Sequence, residues 1–169
     1  YSGDGDDDLV LCNAAMHWVG DHPGVIAHWS GGLSVNGQIA VQVPANDSHP
    51  SHLIADQVAA EQPFKDALGG YQRGQPVLDP ADYDQLFYRL GFPRHRVELK
   101  VYGHVLASVD EVVEWVKGAL MTSYGSLLDD ELYQQFLSRY RQRLRDQLGE
   151  PEPYYYTYKR ILMWASRRP

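Results

Sequence analysis

Residues 8–19 read Asp-Leu-Val-Leu-Cys-Asn-Ala-Ala-Met-His-Trp-Val (DLVLCNAAMHWV). Leu9-Val10-Leu11-Cys12 is a short continuous apolar run that turns polar and small at Asn13-Ala14-Ala15. Such a run suits a strand buried on both faces, as in a parallel sheet. Downstream, Asp21 can cap a helix with Pro23 in its first turn and an apolar stripe of Val25, Ile26, Trp29 and Leu33. Gly31-Gly32 frays that helix, and residues 37–44 (GQIAVQVP) read as the next strand. Strand, helix and strand make a βαβ unit, so the two strands are expected to be parallel.

The pattern continues outward from that unit. Residues 51–68 read as a helix stopped by Gly69-Gly70. Asp79 and Pro80 open another, closed by Gly91. Val97, Leu99, Val101 and Val105 alternate with Glu98, Lys100, Tyr102 and His104, which predicts a strand with unequal faces. Ser108-Val109-Asp110-Glu111 is a capping box for a helix reaching about Met121. Asp129 or Asp130 starts the longest helix, with Arg139, Arg141, Arg143 and Arg145 mostly toward solvent. Pro151 and Pro153 break the chain before a last strand at residues 161–165. The order β-α-β-α-α-β-α-α-β is an α/β pattern. It carries no glycine-rich nucleotide loop, because Gly31-Gly32 follows a helix rather than a strand.

Composition bounds the function. The 169 residues carry a net charge of −7, with 44% hydrophobic and 22% charged residues. That balance suits one globular domain and argues against nucleic acid or an anionic membrane surface as a partner. The single cysteine, Cys12, fits a reducing cytoplasm. No apolar run approaches a membrane span. Residues 1–8 (YSGDGDDD) read as an acidic leader, with residues 9–169 as one domain. His17, His22 and His28 do not share a helix face, so no metal site is expected.

The stretch 8–19 resembles the fourth strand of class I S-adenosylmethionine-dependent methyltransferases and the loop after it. In the trans-aconitate methyltransferase group the motif runs Asp-Leu-Val/Ile-x-x-Asn-Ala-x-x-x-Trp, commonly followed by Asp-His. Asp8, Asn13, Ala14, Trp18, Asp21 and His22 stand in register with it. Residues 37–46 are similar to the group's fifth strand, which ends in Gln-x-Pro-x-Asn. Residues 113–118 (VEWVKG) are similar to a hallmark near its substrate cap, and residues 136–144 and 161–167 also match.

The resemblance implies a partial Rossmann-like sheet with a helical cap, the first three strands lying outside this chain. It implies S-adenosylmethionine as cofactor and a small acceptor that can bear a carboxylate. Asn13, Ala14, Ala15, His17 and Trp18 would border the cofactor. Trp18, Tyr83, Trp115 and Tyr124 would border the acceptor. No catalytic acid or base is implied, since an ionised carboxylate needs none. Thr122-Ser123-Tyr124 stands where the family often has Arg-Pro-Tyr, so the arginine fork suited to a carboxylate is absent there. A non-catalytic binding or scaffold module derived from such an enzyme is the alternative. In either case the strand Leu9 to Cys12 would have an edge to be covered by another chain or by an N-terminal fragment.

Overall fold

A computed structural model of the protein describes residues 5–168. Four strands, β1 (Asp7–Asn13), β2 (Leu33–Pro44), β3 (Arg94–Leu106) and β4 (Tyr154–Ser166), form one sheet in the order β1-β2-β4-β3. Between them lie α1 (His22–Gly32), α2 (Pro50–Ala59), α3 (Phe64–Ala67), α4 (Pro80–Arg89), α5 (Asp110–Lys117), α6 (Leu120–Gly125) and α7 (Asp130–Leu148). β1 and β2 are parallel, with Val10 opposite Ile39 and Cys12 opposite Val41, as a βαβ unit requires. β4 returns antiparallel to β2, with Val41 opposite Met163. No helix among the described residues is long and apolar enough to cross a membrane.

The chain divides into two compact units. The first comprises the residues up to 45, residues 75–102 and those from 158 on; the second comprises 46–74 and 103–157. In the first, Ile39, Val41 and Val43 of β2 and Ile161, Met163 and Ala165 of β4 make one buried face. They cluster with Ile26 of α1, Tyr83, Leu86 and Phe87 of α4, and Phe92. Val10 and Cys12 pack on this cluster, whereas Leu9 and Leu11 on the other side of β1 are 57% and 70% exposed. The expectation of burial on both faces is therefore corrected: one face of β1 is covered and the other is open. β1 also begins at Asp7, so two of the aspartates assigned to the leader are strand residues. The first four leader residues lie outside the described residues.

Other boundaries follow local chemistry. Asp21 accepts the Gly24 amide at 2.9 Å and caps α1, as its side chain predicts. The helix expected over 51–68 is two, α2 and α3, with Pro63 between them. Proline lacks the amide that a continuous helix needs and crowds the preceding turn. Val109 rather than Ser108 precedes α5, and its helix stops at Lys117 before the separate α6. Asp129 caps α7 by accepting the Leu132 amide at 2.8 Å. Gly149 ends α7 at φ 74°, a left-handed conformation that glycine adopts without a side-chain clash.

The second unit is mainly helical. α2 and α7 pack on each other, and α5 and α6 pack on α7. Phe64 meets Phe136 edge-on, and Tyr140 donates a hydrogen bond to the Ser51 carbonyl at 2.9 Å. The α7 arginines expected toward solvent are half-exposed and each forms an ion pair. Arg139 and Arg143 meet Glu61, Arg141 meets Glu114, and Arg145 meets Asp110.

Candidate functional site

In a parallel sheet the strands' carboxyl ends are where backbone amides and loop side chains converge on ligands. Residues 13–18 occupy that position after β1. The strand leaves the sheet at Asn13, whose side-chain oxygen accepts from Gln42 Nε2 at 2.6 Å. Ala14 follows at φ 51°. A left-handed alanine costs energy, so the surrounding contacts must impose it. One of them is the bond from the Ala14 amide to the Gln42 carbonyl, 2.9 Å. Asn13, Ala14 and Ala15 are exposed, so this corner of small residues is open at the strand's end.

The chain then makes a 3-10 turn, Met16–Trp18, which buries Met16 and turns Trp18 outward at 61% exposure. His17 is half-buried, its ring 4.7 Å from that of Trp18. The turn is pinned from beneath. His22 Nε2 donates to the Met16 carbonyl at 2.9 Å, and His22 Nδ1 accepts from the Tyr83 hydroxyl at 2.5 Å. Tyr83 Oη in turn accepts the Leu78 amide at 3.1 Å. This relay fixes the neutral imidazole with its proton on Nε2. Burial lowers the His22 pKa, against the opposing pull of the Met16 and Val19 carbonyls and of Asp21. Burial likewise raises the Tyr83 hydroxyl to about 12, although the Leu78 amide pulls the other way.

Tyr83, expected among the acceptor-pocket groups, lies in the core of the first unit with its hydroxyl occupied on both sides. Its place in the structure is that of a support for the 13–18 turn. His22 entered the reading only as part of a motif. Its partner lies 61 residues away, and no local signal announces a bond of that span.

Within the second unit, Tyr124 is also buried. Its hydroxyl donates to Asp56 Oδ1 at 2.8 Å and its ring stacks on Phe136 at 4.9 Å. Asp56 also takes Arg73 in a fork, Nε at 3.2 Å and Nη2 at 3.0 Å, while Arg73 Nη1 reaches Asp47 at 2.6 Å. Burial works against the charge on Arg73, but the two carboxylates outweigh it and hold its pKa above the ordinary value. Trp115 is part of another group. Its ring lies 4.6 Å from His104 and 5.8 Å from Tyr156. Nothing in the sequence announces the Arg73 network, because a lone arginine in a glycine-rich stretch carries no periodic signal.

His52 lies beside this network and gives the second unit an acid sensitivity. Burial lowers its pKa to about 4, and the neighbouring Arg73 acts in the same direction. An unfolded chain protonates this imidazole near 6.5, the folded one only near 4. Stability is therefore intact above pH 6.5 and falls as the pH drops through that window, because the unfolded state then binds the extra proton. At roughly 1.4 kcal/mol per pH unit the loss approaches about 3 kcal/mol. Urea unfolding at pH about 7.5 and about 4.5 checks this, and His52→Gln is expected to flatten the dependence. An unchanged dependence in that variant would show that other groups carry the acid response.

Comparison with known proteins places these features. No family model matches the chain. Trans-aconitate 2-methyltransferase of Deinococcus radiodurans is 38% identical over 169 residues, covering 96% of this chain and 64% of that protein. The enzyme of the same name from Agrobacterium fabrum is 36% identical over 140 residues, covering 81% of this chain and 54% of that protein. The chain is trans-aconitate methyltransferase-like. It spans 64% and 54% of the length of these relatives, and its sheet and helices correspond to part of the class I methyltransferase fold. Loganic acid methyltransferase with SAH superposes at a TM-score of 0.63 with 10% identity, over 96% of this chain and 62% of that one. The YcgJ protein of Bacillus subtilis gives 0.51 with 12% identity, over 98% and 65%. At such identities the likeness is one of fold.

Proposed function

We propose that this chain forms part of an enzyme that moves a methyl group from S-adenosylmethionine to a small carboxylate-bearing acceptor, in the cytoplasm. The observation that carries the reading is the Asn13–Trp18 turn. It stands at the carboxyl end of a parallel strand, exposes small residues, and is held by the His22–Tyr83 relay. The names of the relatives support the same chemistry.

The donor, when bound, supplies a methyl group already activated on a sulfonium. The small, exposed residues Asn13, Ala14 and Ala15 fit a ligand that needs close approach, and His17 and Trp18 border the same corner. Trp18 presents an aromatic face that can exclude water from one side of the transfer path. A carboxylate acceptor is ionised at neutral pH and needs no general base. The chain's contribution is then to orient the acceptor and keep the site dry. The open edge of β1 is proposed to pair with a strand from outside residues 5–168. An exposed apolar edge otherwise templates unwanted pairing.

Two measurements test this reading. The full-length protein carrying this chain is expected to release S-adenosylhomocysteine when supplied with S-adenosylmethionine and trans-aconitate or a related carboxylate. Absence of turnover with every carboxylate acceptor tried would overturn it. The 169-residue chain alone is expected to bind S-adenosylmethionine weakly, since residues 13–18 form one wall of a site. Micromolar affinity by titration calorimetry would mean that this chain holds the whole cofactor site.

A further inference from the structure

Among the described residues β3 stands at the opposite edge of the sheet from β1, with β4 as its one neighbour. Its central residues, Arg96-Val97-Glu98-Leu99-Lys100-Val101-Tyr102, all lie in the first unit. Val97 packs on that unit's core, but Leu99 and Val101 on the same face are 49% and 55% exposed. The other face carries Arg96, Glu98, Lys100 and Tyr102. Arg96 pairs with Glu98, and Lys100 sits 5.4 Å over the Tyr102 ring. An edge strand that exposes apolar side chains and unpaired backbone groups is a template for another strand.

The order of charges says which strand fits. We propose that β3 pairs antiparallel with β3 of a second copy of this chain, in the register that sets Leu99 against Leu99. Glu98 then lies opposite Lys100 of the second copy, and Lys100 opposite its Glu98. Arg96 lies opposite Tyr102 twice, a cation facing an aromatic ring. On the other face Val97 meets Val101 twice and Leu99 meets itself. Opposed pairs of this kind stabilise a sheet, and like charges directly opposed destabilise it.

Neighbouring registers lose this match. Centring on Glu98 sets glutamate against glutamate and Arg96 against Lys100. Centring on Lys100 sets lysine against lysine. Centring on Val97 sets Arg96 against Glu98 but brings Arg94 opposite Lys100 at both ends, so repulsion offsets the attraction. Centring on Val101 separates Glu98 from Lys100 altogether. Charges on an edge strand ordinarily prevent association. Here their alternation in sign blocks the shifted registers and favours one, giving a self-complementary interface of the kind that closes as a dimer.

Charge reversal distinguishes this arrangement from any other contact. Sedimentation equilibrium of the 169-residue chain is expected to show a monomer–dimer equilibrium. Glu98→Lys and Lys100→Glu each place like charges opposite one another at both ends of the interface. Each is expected to weaken dimerisation at least about tenfold. The double variant restores opposite charges and is expected to return to the wild-type constant. Leu11→Lys on β1 separates pairing at that edge, and is expected to leave the constant unchanged. Both reversals lie on exposed side chains, and circular dichroism confirms that each variant is folded. A monomeric wild type, single reversals that dimerise normally, a double variant that stays weak, or dissociation by Leu11→Lys would each overturn the proposal.

Discussion

Arg73→Ala is expected to destabilise the second unit by about 3 kcal/mol. Its guanidinium forks onto both oxygens of Asp56 and reaches Asp47 with the remaining nitrogen. The side chain is 15% exposed, so the pairing takes place largely out of water. Removing it leaves two carboxylates facing each other's field with no cation between them. The two carboxylates keep 28% and 31% of their side-chain surface in water, which places the loss at the low end of about 3–5 kcal/mol for a broken buried pair. Tyr124 is drawn in as well, since its hydroxyl shares Asp56 Oδ1 with Arg73.

Chemical denaturation distinguishes this from a generic charge effect. Arg143 pairs with Glu61 at 2.6 Å but is 44% exposed, and Arg143→Ala is expected to cost less than about 1 kcal/mol. Arg73→Lys keeps the charge and loses the fork, so only part of the stability should return. If Arg73→Ala unfolds no earlier than Arg143→Ala, the network is a surface feature and the account of the second unit is wrong.

The sequence carries the βαβ unit in plain view. Four apolar residues ending in a polar corner, then Asp21 and Pro23, then another apolar run leave little choice of local structure. What it does not carry is which face of a strand is covered. Leu9 and Leu11 are as apolar as Val10 and Cys12, yet only the latter pair packs on the core. Val97, Leu99 and Val101 alternate cleanly, but alternation states that two faces differ without saying which one meets water. Pro63 was a legible break that the glycine pair at 69–70 obscured. β4 starts at Tyr154, seven residues before the expected strand, because a tyrosine-rich run reads poorly on an apolar scale although aromatic residues favour strands.

The candidate site divides in the same way. Residues 13–18 are legible as a corner because they are contiguous and follow a strand. Tyr83 and Tyr124 were placed at an acceptor pocket by resemblance, whereas their hydroxyls are engaged by His22 and Asp56 in buried surroundings. A tyrosine presents the same letter whether its hydroxyl binds substrate or supports a turn, and only the partner tells them apart. The partners here are separated by 61 and 68 residues. Such pairings depend on tertiary packing, which local periodicity does not encode.

Trp18→Ala in the full-length protein is expected to reduce kcat/KM for methyl transfer about 10- to 100-fold while leaving stability within about 0.5–1 kcal/mol. The two halves of that expectation rest on one observation. Trp18 is 61% exposed and its ring meets that of His17 rather than the core. Surface side chains outside caps, ion-pair networks and strained turns contribute little to folding. A large apolar side chain held outward by a pinned turn is also poorly explained by folding alone. Met16 is buried and bonded to His22 immediately beside it, so the turn itself survives the loss of the indole. What disappears is an aromatic wall at the carboxyl end of β1, where a shift of about 1 Å in the reacting groups already costs around a hundredfold in rate. Steady-state kinetics and thermal melts on the same preparation separate the outcomes. A marked fall in Tm with normal specific activity in the folded fraction would assign Trp18 to packing and remove the 13–18 turn from the site.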